Sequence, residues 1–378
     1  MKRILLVPDS FKGTMSSREV CDIMAGEIQT YYPQAQVIAI PVADGGEGSV
    51  DAFLSAMGGE KVKVPCQGPY LEEREGFYGR LPDGTAVVEM AAAAGLPLVG
   101  ERLNAGATST YGVGQLILAA ARQGARRIIV GLGGSATNDG GCGAAAALGV
   151  RFLDTQGEEY IPTGDTLDQL GTIDLSHLDV ALEGVELVAM CDIDNPLCGP
   201  SGASAVFGPQ KGATPEQVEV LDRNLHHLAD VTAARLGEDL RNLPGAGAAG
   251  GMGFGMRALL GSTMQMGIET VLDTVGFERL LKGADLVLTG EGKLDTQSLR
   301  GKVVVGVARR CVPKNVPVVA VVGDIGDGVE KVYELGVTAV FSINRVALPF
   351  EQARTRSRSD LQKTMENLMR LIWRMEQR

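Results

Sequence analysis

At 378 residues the chain exceeds one small domain, and two domains are the default expectation. Hydrophobic residues make up 45% and charged residues 21%, as in a globular protein with a substantial core, and the net charge of −11 argues against nucleic acid and anionic membrane as main partners. Glycine is the outlier: 51 residues, roughly twice ordinary usage and without a collagen period, which places them in turns and backbone-lined sites.

The chain opens with an apolar strand, Ile4–Val7, and then Pro-Asp-Ser-Phe-Lys-Gly. The apolar run is too short for the core of a signal peptide, and no window reaches the length of a membrane span, so the expected location is the cytoplasm. Ser16 and Glu19 form a capping box, which predicts a helix from about residue 17. A second strand, Val37–Val42, runs into Ala43-Asp44-Gly45-Gly46-Glu47-Gly48 and another helical stretch. From Lys61 to Met90 the rhythm changes to short strands, 61–64, 76–80 and 86–90, separated by turn residues. A helix over 109–123 leads to the strand Arg127–Gly131 and a glycine-rich loop, and a further strand, Glu186–Met190, ends in Cys-Asp-Ile-Asp-Asn-Pro. Thr214, Pro215, Gln217 and Gly237 carry the start and stop signals of a helix over 215–236.

Beyond a glycine-rich stretch at 245–255, which opens a helix over 252–260, strands at 285–289, 316–322 and 338–342 alternate with helical stretches near 297–311, 327–335 and 351–376. The fold class is α/β. Its simplest topology is a flavodoxin/Rossmann-like parallel-sheet domain built from both chain ends, 1–65 plus 281–378, with a mixed α/β domain, 66–280, inserted in the middle.

Six cysteines with no C-x-x-C pair, and only three histidines, disfavour zinc and fit a reducing compartment. Five loops share one design, a strand end followed by small residues, carboxylates and amides: 8–13, 42–48, 131–141, 191–195 and 289–295. In open α/β sheets such ends bind ligands. Their side chains suit phosphoryl transfer, which needs cations and N–H groups around phosphates and carboxylates for Mg²⁺. Lys12 precedes a helix start, where a phosphate is favoured. Asp192 and Asp194, two apart in extended backbone, share one side and can face one ion or hydroxyl. Asp44 and Glu47 can hold substrate hydroxyls or water on Mg²⁺, or cap a helix, and Lys211 can offset phosphate charge. The run 245–253 contains G-x-G-x-x-G with no strand before it, so it is read as a backbone cradle. Gly131-Leu132-Gly133-Gly134-Ser135-Ala136 does follow a strand, with Asp154 18 residues beyond Ala136, so an NAD-dependent oxidoreductase is the alternative. No Walker A or protein-kinase signature occurs.

The blocks Pro8–Lys12, Val42–Gly48, Gly133–Gly141, Phe207–Ala213, Pro244–Gly253 and Thr289–Gly292 together resemble the bacterial type-1 glycerate kinase family. The resemblance implies ATP-dependent, Mg²⁺-assisted phosphorylation of D-glycerate, at the 2-hydroxyl or, alternatively, the 3-hydroxyl, in a cleft between two α/β domains. It implies that Asp192 orients or deprotonates the hydroxyl or binds Mg²⁺ with Asp194, and that Lys12 and Lys211 offset phosphoryl charge. By the same likeness Asp44, Glu47, Asn138 and Asp139 bind glycerate, and Gly133, Gly134, Ser135, Gly245, Gly247, Gly250, Gly251 and Glu291 line the nucleotide. Gln115 stands where the family usually carries a glutamate, and a packing role is expected for it. Homo-oligomerisation is left open.

Overall fold

The computed structural model describes residues 1–42, 45–296 and 298–377. In chain order its main elements are β1 (Arg3–Pro8), α1 (Ser17–Tyr31), β2 (Gln36–Ala39), α2 (Ser49–Met57), β3 (Glu60–Gln67), β4 (Glu73–Arg80), β5 (Thr85–Glu89), α3 (Tyr111–Arg122), β6 (Arg127–Gly131) and α4 (Cys142–Ala147). There follow β7 (Arg151–Asp154), β8 (Glu159–Tyr160), β9 (Leu170–Asp174), β10 (Glu186–Met190), α5 (Pro215–Leu236), α6 (Ala248–Ala258), β11 (Thr263–Gln265), β12 (Leu286–Gly290), α7 (Val303–Cys311), β13 (Val318–Val322), β14 (Ala339–Ser342) and α8 (Ser357–Glu376).

The chain forms two compact units, the first made of Met1–Ala43, Ser55–Met57 and Gly267–Arg378, the second of Asp44–Leu54 and Gly58–Met266. The first unit holds a five-stranded sheet in the order β14-β13-β12-β1-β2, parallel throughout. Its strands are continuous apolar runs because both faces are covered. On one face Ile4, Leu6 and Leu288 pack with Val20, Met24 and Ile28 of α1 and with Leu361, Met365 and Leu368 of α8. The chain winds outward from β1 through α1 to β2, and in the other direction from β12 through α7 to β13 and β14. The order therefore reverses between β1 and β12, whose carboxyl ends meet in register at Pro8 and Gly290.

The second unit holds a six-stranded sheet, β11-β10-β6-β5-β4-β3. The four strands β11, β10, β6 and β5 are parallel, and β4 and β3 continue antiparallel. Because β3 pairs with β4 along its whole length, from Glu60 to Gln67, residues 60–65 belong with this unit. Its main core joins Val88, Ile128, Val130 and Ala189 to Val113, Leu116 and Ile117 of α3. A small antiparallel sheet, β8-β7-β9, packs against α5 through Phe152, Leu170, Leu225 and Leu228. Gln115 has a structural partner: its Oε1 accepts from Gln67 N at 2.7 Å and ties α3 to the end of β3.

Two expected helices shrink. The stretch 327–335 is reduced to a 3₁₀ turn, Glu330–Val332, because Gly328 and Gly336, both with positive φ, leave too little chain between them. The helix expected over 297–311 begins at Val303, behind a 3₁₀ turn. In α6, Ala249, Gly250 and Gly251 have left-handed backbone, so regular helix starts at Met252. Helix α5 has the expected ends. Thr214 accepts from Gln217 N at 3.3 Å, Gln217 Oε1 accepts from Thr214 N at 2.9 Å, and Gly237 closes the helix at φ 77°. Thr214→Ala is expected to cost about 1 kcal/mol of stability, read as a lower urea midpoint at unchanged m-value.

Candidate active site

In the second unit, the loops leaving β6 and β10 interlock with those at 45–48 and 245–251. Gly133 N donates to Gly45 O at 2.8 Å, and a Cβ at Gly133 would stand 2.4 Å from Gly46 Cα. At Gly250, φ is +67° and a Cβ would stand 1.9 Å from Thr137 O. Only glycine permits either approach. Gly140 N donates to Gly250 O, and Gly247 N to Asn195 O, so the loop after β10 joins the same knot. Gly245, Gly247, Gly250 and Gly251 are all buried against the chain's own backbone. The sequence-based expectation that they line a nucleotide meets a prior structural use. Gly134 is exposed and Gly133 half-buried.

The centre of this knot is polar. Lys211, 2% exposed, donates from Nζ to Ser135 Oγ at 2.8 Å and to Thr137 O at 2.7 Å. An ammonium has three donors, so one remains for another acceptor. Burial strips its solvation and lowers its pKa to about 7, with nearby Asp139 opposing the shift. Asn138 Nδ2 donates to Ser204 Oγ at 3.0 Å, while Asn138 Oδ1 and Thr137 Oγ1 are buried without a partner. Asp139 is fully buried. Its Oδ2 accepts from Thr110 N, Thr110 Oγ1 and Gly143 N, and its Oδ1 accepts from Gly141 N. Both oxygens are thus engaged by the loop and the starts of α3 and α4, a scaffold task at a residue expected from the family resemblance to contact glycerate.

Asp192 is half-buried and Asp194 exposed in the loop after β10, and Glu47 is exposed. Asp44 lies outside the described residues. Glu89, at the carboxyl end of β5, was not singled out from the sequence. It is 2% exposed and accepts from Val50 N at 2.6 Å and from the Gly48 backbone, which pins the first turn of α2 behind the 45–48 loop. A lone glutamate after Val-Val carries no spacing signal that would have found it.

In the first unit, the turn Phe11–Met15 closes on itself, with Phe11 N donating to Met15 O and Met15 N to Phe11 O, and it presents Lys12 outward. Asp9 N donates to Gly290 O at 2.8 Å, and a Cβ at Gly292 would stand 3.2 Å from Lys12 N. The loops after β1 and β12 thus lie side by side at the reversal of strand order, where open α/β sheets bind ligands. Glu291 stands there, 6% exposed. Burial raises its pKa to about 7, Ser298 donates a hydrogen bond to it, and Asp9, Lys302 and Asp295 act on it through charge.

The dinucleotide reading fails on geometry. No helix follows Gly131–Ala136 until Cys142, and Asp154 turns a hairpin, its Oδ1 accepting from Gln156 N and Glu158 N. One group among the described residues has metal-ligand atoms within 4.8 Å of one another, Cys198, Asp222 and His226. Arg241 Nη1 lies 3.2 Å from His226 Nδ1, and as a pure donor it puts the imidazole proton on Nε2, 3.6 Å from Asp222. Asp222 is also engaged by the backbone, its Oδ1 accepting from Gly199 N at 2.9 Å.

Asp139→Ala would orphan three backbone N–H groups and a hydroxyl, and a loss of about 3 kcal/mol is expected in urea unfolding. Between about pH 7 and 10.5 the unfolded chain holds a proton on Lys211 that the folded chain has lost, so this group makes stability rise with pH across that window. In urea titrations from pH 7 to 8.5, Lys211→Met is expected to lack that rise relative to the parent chain.

The glycerate kinase family model matches residues 4–373. Glycerate kinase of Bacillus subtilis (strain 168) is 44% identical, over 97% of this chain and 96% of that protein. Glycerate 2-kinase of Escherichia coli (strain K12) is 43% identical, over 90% of each. A crystal structure of a Salmonella typhimurium LT2 protein assigned as glycerate kinase 2 superposes with a TM-score of 0.87 at 40% identity, covering 100% of both chains. With the full length matched in sequence and in its two-domain α/β fold, the chain belongs to the glycerate kinase family.

Proposed function

We propose that this chain transfers the γ-phosphoryl group of ATP to the 2-hydroxyl of D-glycerate, giving 2-phosphoglycerate. Family membership implies ATP as the donor, and the Escherichia coli relative named a 2-kinase favours the 2-hydroxyl. The observation that carries the reading is Lys211: a buried ammonium, held by Ser135 and Thr137, with a donor to spare and partnerless Thr137 Oγ1 and Asn138 Oδ1 beside its anchors. Such a group gains most from an anion, because a phosphate restores the solvation that burial removed.

In this reading Lys211 offsets phosphoryl charge in the second unit, where Ser135 with Gly133 and Gly134 borders the nucleotide, and Lys12 offers a cation of the same kind in the first unit. Asp139, Gly245, Gly247, Gly250 and Gly251 act from behind by fixing the loops. Asp44, Glu47 and Asn138 serve glycerate. Asp192 and Asp194 offer hard carboxylate oxygens, the donor chemistry Mg²⁺ takes, and they would hold it. When bound, Mg²⁺ neutralises charge building on the phosphate oxygens. All six cysteines are free thiols, five of them buried, which fits the cytoplasm.

The test is a coupled ADP-release assay with Mg²⁺-ATP and D-glycerate, read in parallel through enolase. Glycerate-dependent ADP with an immediate enolase signal is expected. A signal that waits for added phosphoglycerate mutase would transfer the reaction to the 3-hydroxyl, and no glycerate-dependent ADP would remove the substrate.

A further inference from the structure

We infer that Glu291 is the group that takes the proton from the glycerate hydroxyl as the phosphoryl group arrives. The inference rests on the kinase reading above and adds the identity of its base.

Four carboxylates are buried among the described residues: Glu89, Asp139, Glu291 and Asp360. Three are spent on structure. Glu89 holds the start of α2, Asp139 has both oxygens bonded within its loop, and Asp360 takes Arg356 on both oxygens. Glu291 alone of the four has an oxygen, Oε1, that is buried without a hydrogen-bond partner. A desolvated acceptor left unmet is unfavourable unless something else meets it.

Its position says what could. Glu291 follows β12 at the reversal of strand order, beside the loop that carries Lys12. A substrate hydroxyl is a donor of the right kind, and Lys12 supplies the cation that a phosphoryl group arriving there needs. The charged groups around Glu291 are Asp9 and Asp295, which disfavour its anion, and Lys302, which favours it, while Ser298 donates to it. Burial dominates, and the carboxyl exchanges its proton near neutrality, where a base works best.

The step balances. The glycerate oxygen bonds to the γ-phosphorus as its proton passes to the carboxylate of Glu291. The bond from that phosphorus to the β,γ-bridging oxygen breaks, and ADP leaves with the electron pair. The proton is then released to solvent, which resets the base.

The experiment compares the parent chain with Glu291→Gln in kcat against pH, alongside calorimetric Kd values for ADP and D-glycerate. The parent kcat should rise with unit slope on the acid side, reach half its maximum near pH 7 and level off above it. Glu291→Gln should lose about 10²–10⁴-fold in kcat and lose that limb, with both Kd values within about threefold of the parent. A variant that keeps kcat within tenfold, or that loses ADP binding instead, overturns the inference while leaving the kinase reading intact. A parent chain without glycerate-dependent turnover overturns both. If Glu291→Gln does not fold, Ser298→Ala decides: removing a bond to the carboxylate should move the acid limb to higher pH, and an unmoved limb overturns the assignment.

Discussion

The Asp139 carboxylate lies where no water reaches and accepts from three backbone N–H groups and one hydroxyl. A charge in that position is tolerable only because every lone pair facing the chain is used. It fixes the turn at 140–143 and, through Thr110, the start of α3. The preceding residues, Ser135 and Thr137, then stand where Lys211 can reach them. The cation and the carboxylate do not pair directly. They are coupled through one loop, which explains how a lysine can sit 2% exposed without a salt bridge of its own.

That loop also accounts for part of the glycine content. Backbones that pass as closely as Gly133 on Gly46, or Gly250 on Thr137, have no room for a side chain. Substituting alanine there would push two loops apart rather than fill a gap. The glycine-rich blocks are therefore a packing code for stacking strand-end loops on one another, and their motif-like look comes from the regularity of that stacking.

Where a residue's role is local, the sequence discloses it. The capping boxes of α1 and α5 and the strands β1, β6 and β10 are readable from neighbours within a few positions. The loops rich in acids, amides and glycine announce themselves in the same way, and the family resemblance adds Lys211, Ser135 and Glu291 as site residues. What stays hidden is set by distant partners. Glu89 matters because Val50 lies 39 residues away, and the scaffold use of Asp139 depends on Thr110, 29 residues back. Around the strand-like run at 149–153, the partner strands β8 and β9 carry little signal, because β8 has two residues and the pairing of β9 with β7 has a bulge. The partnerless oxygen of Glu291 is a property of three-dimensional surroundings that no spacing rule encodes.

The order of strands in the first unit has a further consequence, for synthesis. β1 has β2 on one side, but its other neighbour, β12, lies some 280 residues further along, with Ile4 opposite Leu286. At elongation speeds of about 5–20 residues per second, β1 and α1 wait roughly 15 to 60 seconds for that partner. In the meantime Ile4, Leu6, Val20, Met24 and Ile28, all solvent-free in the finished protein, have no sheet to complete. The second unit lies wholly within the intervening stretch and can close its own sheet before the ribosome reaches β12. The nascent chain is therefore a folded middle trailing an unfinished apolar head, the kind of segment that holdase chaperones bind.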